Sequence, residues 1–276
     1  MPKFSVTPVN EVHLDRAPLA KVLTQVQYSR TPQLVTDSAE ALIAQALDRY
    51  PVRRRQVTAG IAPMIVVDGH QIQPPGGFPP GVALSFSDPS GTWVVTVTET
   101  AVALETNAYS TRDDFCSRAS EIFAAIATVA LPPVVDRLGV RYIDRLSGDA
   151  ITHVPTYFAP QLTALVGCTD SSLELHHSIT ESQVDINAEE SMLIRSGLLP
   201  AGSAFDPALP PLSVPSWVLD TDVFTTKAQF AFEPAELAMR LRRFAETAYS
   251  FFRFAATEEL QSDHSGQTAP LSGQRP

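Results

Sequence analysis

Arg137-Leu138-Gly139-Val140-Arg141-Tyr142-Ile143-Asp144-Arg145-Leu146 lies at the middle of the chain, and the flanking patterns are arranged about it. Aliphatic and aromatic residues alternate with charge, which is the pattern of a strand. Alternation puts Arg141, Ile143 and Arg145 on one face and Val140, Tyr142, Asp144 and Leu146 on the other. Charge on both faces of a central strand is costly unless it is neutralised, so this stretch is where a site or an internal ion pair belongs.

Upstream, Arg112 to Ala130 has a helical stripe of Phe115, Ala119, Ile122, Phe123, Ile126 and Val129, with Thr111 and Asp114 forming the capping pattern and Pro132-Pro133 the stop. Before it, Val82–Ser87, Trp93–Thr98 and Val102–Thr106 read as a strand meander, its first turn being Asp88-Pro89-Ser90-Gly91. Ile61–Val67 reads as a further strand. The Pro74-Pro75-Gly76-Gly77-Phe78-Pro79-Pro80-Gly81 loop is no phosphate loop, because it lacks the Gly-Lys-Ser/Thr ending and its prolines remove amide donors. Ala17–Tyr28 is an edge-like strand. A helix is expected over Ala39–Tyr50, with Leu42, Ile43, Ala46, Leu47 and Tyr50 inward, Asp37 and Glu40 as the cap, and Pro51 as terminator. Arg53-Arg54-Arg55 follows as a solvated loop, the alternative being a site for phosphate or an acidic partner.

Downstream, His153–Val166 is loop-rich with a short helix near Pro160–Val166. Ser172–Ile179, Gln183–Ala188 and Met192–Arg195 form a second antiparallel meander. Gly197–Ser216 is a proline-bearing connection, and Trp217–Phe224 and Lys227–Phe232 are strands. Pro234 opens a long helix to about Leu260, with Leu237, Leu241, Phe244, Ala248, Phe251 and Ala255 at alternating steps of four and three. The fold class expected is α+β: mostly antiparallel sheets in two meander-like halves, helices packed on one face and a long C-terminal helix. Residues 1–16 form an N-terminal segment, 17–260 one α+β domain with two related halves (17–146 and 147–260), and 261–276 a flexible tail.

A chain of 276 residues with 44% hydrophobic and 18% charged residues can bury a sizeable core. The formal net charge of -10 makes nucleic acid an unfavoured partner. Two cysteines, Cys116 and Cys168, support neither a disulfide framework nor a Cys-rich zinc site, and Cys116 reads as a buried thiol. No apolar run reaches the roughly 18 residues of a spanning helix, and Met1–Asn10 has no secretory h-region, so the expectation is a cytoplasmic protein with no membrane partner.

Gly139-Val140-Arg141-Tyr142-Ile143-Asp144-Arg145 resembles the Gly-aliphatic-Arg-Tyr-aliphatic-Asn/Asp-Arg signature strand of a sporadically distributed, uncharacterised prokaryotic protein family. The strand from Ala17 to Tyr28, the Asp-x-Asp strand Trp217–Phe224 and the long final helix are similar as well, so the likeness spans most of residues 17–260. The resemblance implies no activity, substrate or cofactor, and no catalytic residue carries over. The family's patchy occurrence implies an accessory role in defence or a toxin-linked system.

Asp220 and Asp222 share a strand face, so Arg141 and Arg145 can meet them across a sheet. Three readings follow: a salt-bridge ladder that fixes register, an anion site built from the two arginines, and a paired-carboxylate metal site. The last is short of ligands, so no metal and no cofactor are expected. Arg141, Arg145, Asp144, Asp220 and Asp222 are the candidate ligand-binding residues. His177 falls on an apolar strand face as a hydrogen-bonded core histidine, with His176 opposite. No His-Glu-x-x-His, Gly-x-Ser-x-Gly or Gly-x-Gly-x-x-Gly occurs. Phe252 and Phe254 lie off the main stripe of the last helix, and the surface expected for a protein partner or for self-association is there. The function expected is a non-catalytic binding or regulatory protein; the alternative is an enzyme with an arginine/carboxylate pocket on the central strands.

Overall fold

The structure is a computed structural model and describes residues 4–7, 9, 14, 17–58, 65–67, 70–72, 81–168, 173–204, 206–226 and 229–264. In chain order its elements are β1 (Leu19–Tyr28), α1 (Asp37–Ala46), β2 (Val52–Thr58), β3 (Ile65–Val67), β4 (His70–Ile72), β5 (Gly81–Ser87), β6 (Trp93–Val97), β7 (Ala101–Thr106) and α2 (Arg112–Val129). Then come β8 (Val135–Ser147), α3 (Val154–Tyr157), α4 (Pro160–Thr163), β9 (Ser178–Asp185), β10 (Glu190–Leu199), β11 (Ser216–Thr225), α5 (Pro234–Ala255) and α6 (Glu258–His264).

Nine strands form one antiparallel sheet in the order β2-β5-β6-β7-β1-β8-β11-β10-β9, and β3 pairs with β4 separately. The fold is α+β. The winding is laid down twice. Reading away from β1 the order is β7, β6, β5, β2; reading away from β8 it is β11, β10, β9. Each time the innermost strand comes first, a helical passage leads to the rim, the chain meanders back inward, and a long helix follows. By compactness the chain falls into two units, Met1–Lys21 with Arg141–Val223 and Phe244–Pro276, and Val22–Val140 with Phe224–Arg243.

Within the second unit the alternation of β1 buries Val22, Thr24 and Val26, and the Thr24 hydroxyl donates to the Gly139 carbonyl at 2.8 Å. Tyr28 and Phe123 each meet the Phe232 ring edge-on, at 5.9 and 6.5 Å. α2 starts as its sequence dictates: Thr111 accepts the Asp114 amide at 3.2 Å, and Phe115, Ala119, Ile122, Phe123 and Ile126 are buried. Within the first unit Ile143, Leu199, Leu209 and Val218 form a buried cluster, and Leu209 reaches it from the connection after β10. The α5 stripe of Leu237, Leu241, Phe244, Ala248, Phe251 and Ala255 is buried throughout. Its four large side chains stabilise the fold by roughly 1.5–3 kcal/mol apiece.

Several expectations are corrected. Arg53-Arg54-Arg55 is not a loop but the middle of β2, which pairs with β5 from Val52↔Ser87 onward. The α1 cap is Thr36, whose hydroxyl accepts the Ala39 amide at 3.2 Å; Asp37 is the first helical residue. α1 stops at Ala46, before Pro51 can act, and Leu42 is 52% exposed instead of inward. The strand expected over Ser172–Ile179 begins only at Ser178, so His176 and His177 lie before it, and both are exposed; His177 is no core histidine. The expected Gln183–Ala188 strand ends at Asp185 and is continuous with Ser178 in β9, and Met192–Arg195 lengthens to β10. Of the strand expected at Lys227–Phe232, Lys227 and Ala228 lie outside the described residues, and the described part has an isolated bridge, Val135↔Phe230, and no strand. The last helix divides at Ala256-Thr257, where the Thr257 hydroxyl accepts the Leu260 amide and starts α6, so Gln261–His264 is helical rather than tail. The Ile61–Met64 part of the expected third strand, the Pro74–Pro80 part of the expected loop, and residues 265–276 lie outside the described residues, while Gly81 opens β5.

Candidate functional site

β8 and β11 are neighbours in the sheet, and their contacts show which side chains share a face. Arg137 lies over the Phe224 ring at 4.5 Å, Arg141 pairs with Asp220, Ile143 and Val218 share one cluster, and Arg145 Nη2 donates to Ser216 Oγ at 3.0 Å. The Arg137 guanidinium folds back over Gly139, where a Cβ would lie 2.7 Å from Nη1.

Arg141 is held on two sides. Nε donates to Asp220 Oδ1 and Nη2 to Asp220 Oδ2, both at 2.7 Å, the bidentate fork that a guanidinium and a carboxylate form best. Nη1 lies 3.0 Å from Asp206 Oδ2. The Asp206 side chain is set by its own turn, since Oδ1 accepts the Ala208 amide at 2.8 Å. Asp220 is 1% exposed and also has Arg195 Nη1 at 3.5 Å; Arg195 Nε in turn donates to Glu181 Oε2 at 2.6 Å. The group therefore holds two guanidiniums, Arg141 and Arg195, and three carboxylates, Asp220, Asp206 and Glu181. Burial alone would weaken proton binding by Arg141. The hydrogen bonds and charge of Asp220, followed by those of Asp206, outweigh it, and the net shift is upward.

The remaining candidates separate. Arg145 does not meet Asp220 or Asp222. Its Nη1 donates to the Pro210 carbonyl at 2.7 Å, its Nε is buried with no partner among the described residues, and burial lowers its pKa. Asp222 is half-buried on β11. Asp144, by alternation on the face away from Arg141, is 6% exposed; burial and then the charge of Asp220 push its pKa up to about 7. Phe254 is covered from within: Phe4 lies 5.7 Å from it and 5.3 Å from Phe251, and the Ser250 hydroxyl donates to the Thr7 carbonyl at 2.8 Å. Phe252 is half-buried and stacks on Tyr249 at 6.4 Å. Cys116 is buried and Cys168 exposed. Among the described residues no three His, Cys, Asp or Glu side chains converge as metal ligands, and no helix is long and apolar enough to cross a membrane.

Sequence reasoning missed Asp206, Arg195 and Ser216. Asp206 and Arg195 carried no sign beyond their charge, one on an irregular connection and the other on a strand read as ending there. No family model, curated protein or solved structure matches this chain. The geometry of β8 and β11 is therefore the ground for any functional reading.

Proposed function

We propose that this chain is a non-catalytic binding or regulatory protein, and that Arg141 is a structural charge rather than a ligand-binding one. The observation that supports this is the engagement of Arg141: its Nε–Nη2 edge is taken by Asp220 and its Nη1 corner by Asp206. An anion approaching that guanidinium would have to displace a carboxylate that is 1% exposed, and the surrounding carboxylates outnumber the guanidiniums. Its ligand on this reading is a protein, or a second copy engaged through the α5 face that carries Phe252. An accessory role in defence or a toxin-linked system, in the cytoplasm, is what the signature strand suggests.

The test is thermal shift and calorimetric titration against inorganic phosphate and a panel of mono- and dicarboxylates, beside capture of partners from the protein's own cells. A flat response to the anions together with a stoichiometric protein partner is expected. Saturable anion binding that Arg141→Lys abolishes would overturn the reading.

A second reading, an enzyme using an arginine/carboxylate pocket on the central strands, is favoured by one observation. Asp144 is a buried carboxyl whose pKa lies near neutrality, where an acid–base group is most useful. Turnover of any substrate that Asp144→Asn eliminates without loss of folding would establish it.

A further inference from the structure

We propose that the outer edge of β2 is a docking site for an extended acidic segment of a partner protein, which adds to the sheet as a further strand. β2 ends the sheet order, so among the described residues one of its sides has no strand beside it. Residues 51–57 are all exposed, an unbroken run along that edge. Alternate residues of such an edge present an N–H and a C=O that a strand can pair.

Charge supplies the selectivity. Arg55 is already engaged, with Nη1 2.8 Å from both Asp37 Oδ1 and Glu40 Oε2 and Nη2 donating to the Val35 carbonyl at 2.6 Å. Arg53 and Arg54 are exposed, and no hydrogen bond or ion pair reaches either among the described residues. The chain carries 30 acidic residues against 20 Lys and Arg, yet none of the described ones pairs with these two adjacent guanidiniums. Alternation sends Arg53 to one face and Arg54 to the other, so an incoming strand meets a cation on each side. Charged edges ordinarily deter strand addition. Two unpaired arginines deter neutral and basic strands but hold an acidic one through charge-assisted hydrogen bonds. Val57, 80% exposed and on the Arg53 side, adds an apolar contact. The ligand is thus a short β-prone stretch, no longer than the seven residues of β2, with two neighbouring Glu or Asp.

This inference rests on the binding-protein reading, and its test works on different residues. A labelled seven-residue peptide, with two adjacent glutamates flanked by valine and threonine, is titrated into the full chain by fluorescence anisotropy, with amide exchange followed in parallel. Expected are saturable binding, slowed exchange confined to Val52–Thr58, a loss of about tenfold or more in Kd for the Arg53→Glu/Arg54→Glu double variant, and no binding when alternate peptide amides are N-methylated. Equal binding of the N-methylated peptide would reduce the contact to charge and overturn strand addition. Absence of saturable binding overturns the proposal outright, as does tighter binding of a single-stranded oligonucleotide. A concentration-dependent oligomer that the double variant abolishes, without peptide binding, gives the edge to a second copy and also overturns it. If the double variant still captures the cellular partner, this inference fails and the binding-protein reading survives.

Discussion

Asp144→Asn has an effect whose sign and pH window follow from the structure. The carboxyl is 6% exposed, and its pKa is pushed up to about 7 by burial and by the charge of Asp220. In the unfolded chain an aspartate titrates near about 3.9. The folded state therefore binds the proton more tightly than the unfolded chain. Below about pH 4 both states are protonated and this residue costs the fold nothing. Between about pH 4 and pH 7 the unfolded chain ionises while the folded carboxyl stays neutral, so stability falls; above about pH 7 the loss is complete. A gap of about three units at 1.36 kcal/mol each places that loss at roughly 4 kcal/mol. Asparagine is neutral throughout and escapes the titration, while any fixed cost of its amide is the same at every pH. The variant's stability relative to the parent should therefore rise by about 2–4 kcal/mol from pH 4 to pH 8, most of it before pH 7. Urea denaturation of both proteins at five pH values, with m compared at each, measures this. Parallel stability curves across that range would refute the account of Asp144 as a buried, proton-binding carboxyl.

Three further outcomes are expected. Arg141→Ala strands the Asp220 carboxylate at 1% exposure with only Arg195 nearby, and should cost about 3 kcal/mol in chemical denaturation; a change under about 0.5 kcal/mol, the scale of ordinary surface substitutions, would mean that the pair is not buried. Gly197→Ala places a Cβ 1.9 Å from the Ser178 carbonyl oxygen in the β9–β10 ladder, a clash with backbone, and should cost at least about 2 kcal/mol and raise amide exchange along β9; unchanged exchange would contradict it. Phe4→Ala removes the ring over Phe251 and Phe254, and should lower stability by about 1–2 kcal/mol and increase binding of an apolar dye; identical dye binding would show that Phe4 does not cover that surface.

The sequence made some features legible and hid others, for separable reasons. β8 and β11 bury one or both faces, so alternation is readable there and sets Arg141 and Arg145 against Asp220 and Asp222; only the Arg141–Asp220 pair forms. Arg145 shares that face, but its partners are a carbonyl and a hydroxyl, which carry no charge signature to match. Asp206 sits on the proline-bearing connection, where position follows from the path of the chain and not from any period. β2 reads as a loop in the sequence because its described side chains are exposed on both faces; without a buried face there is no period of two to read. The α5–α6 break was legible in principle. Thr257-Glu258-Glu259-Leu260 is an N-cap sequence that the continuing apolar stripe overrode.

The account depends on Arg141 and Asp220 stabilising each other inside the fold. A double-mutant cycle with Arg141→Met and Asp220→Asn, followed by urea denaturation at pH 7.5, measures that interaction directly. A coupling of about 2 kcal/mol or more is predicted for two groups bonded at 2.7 Å by both donors. A coupling below about 0.5 kcal/mol, the level at which distant sites simply add, would contradict it.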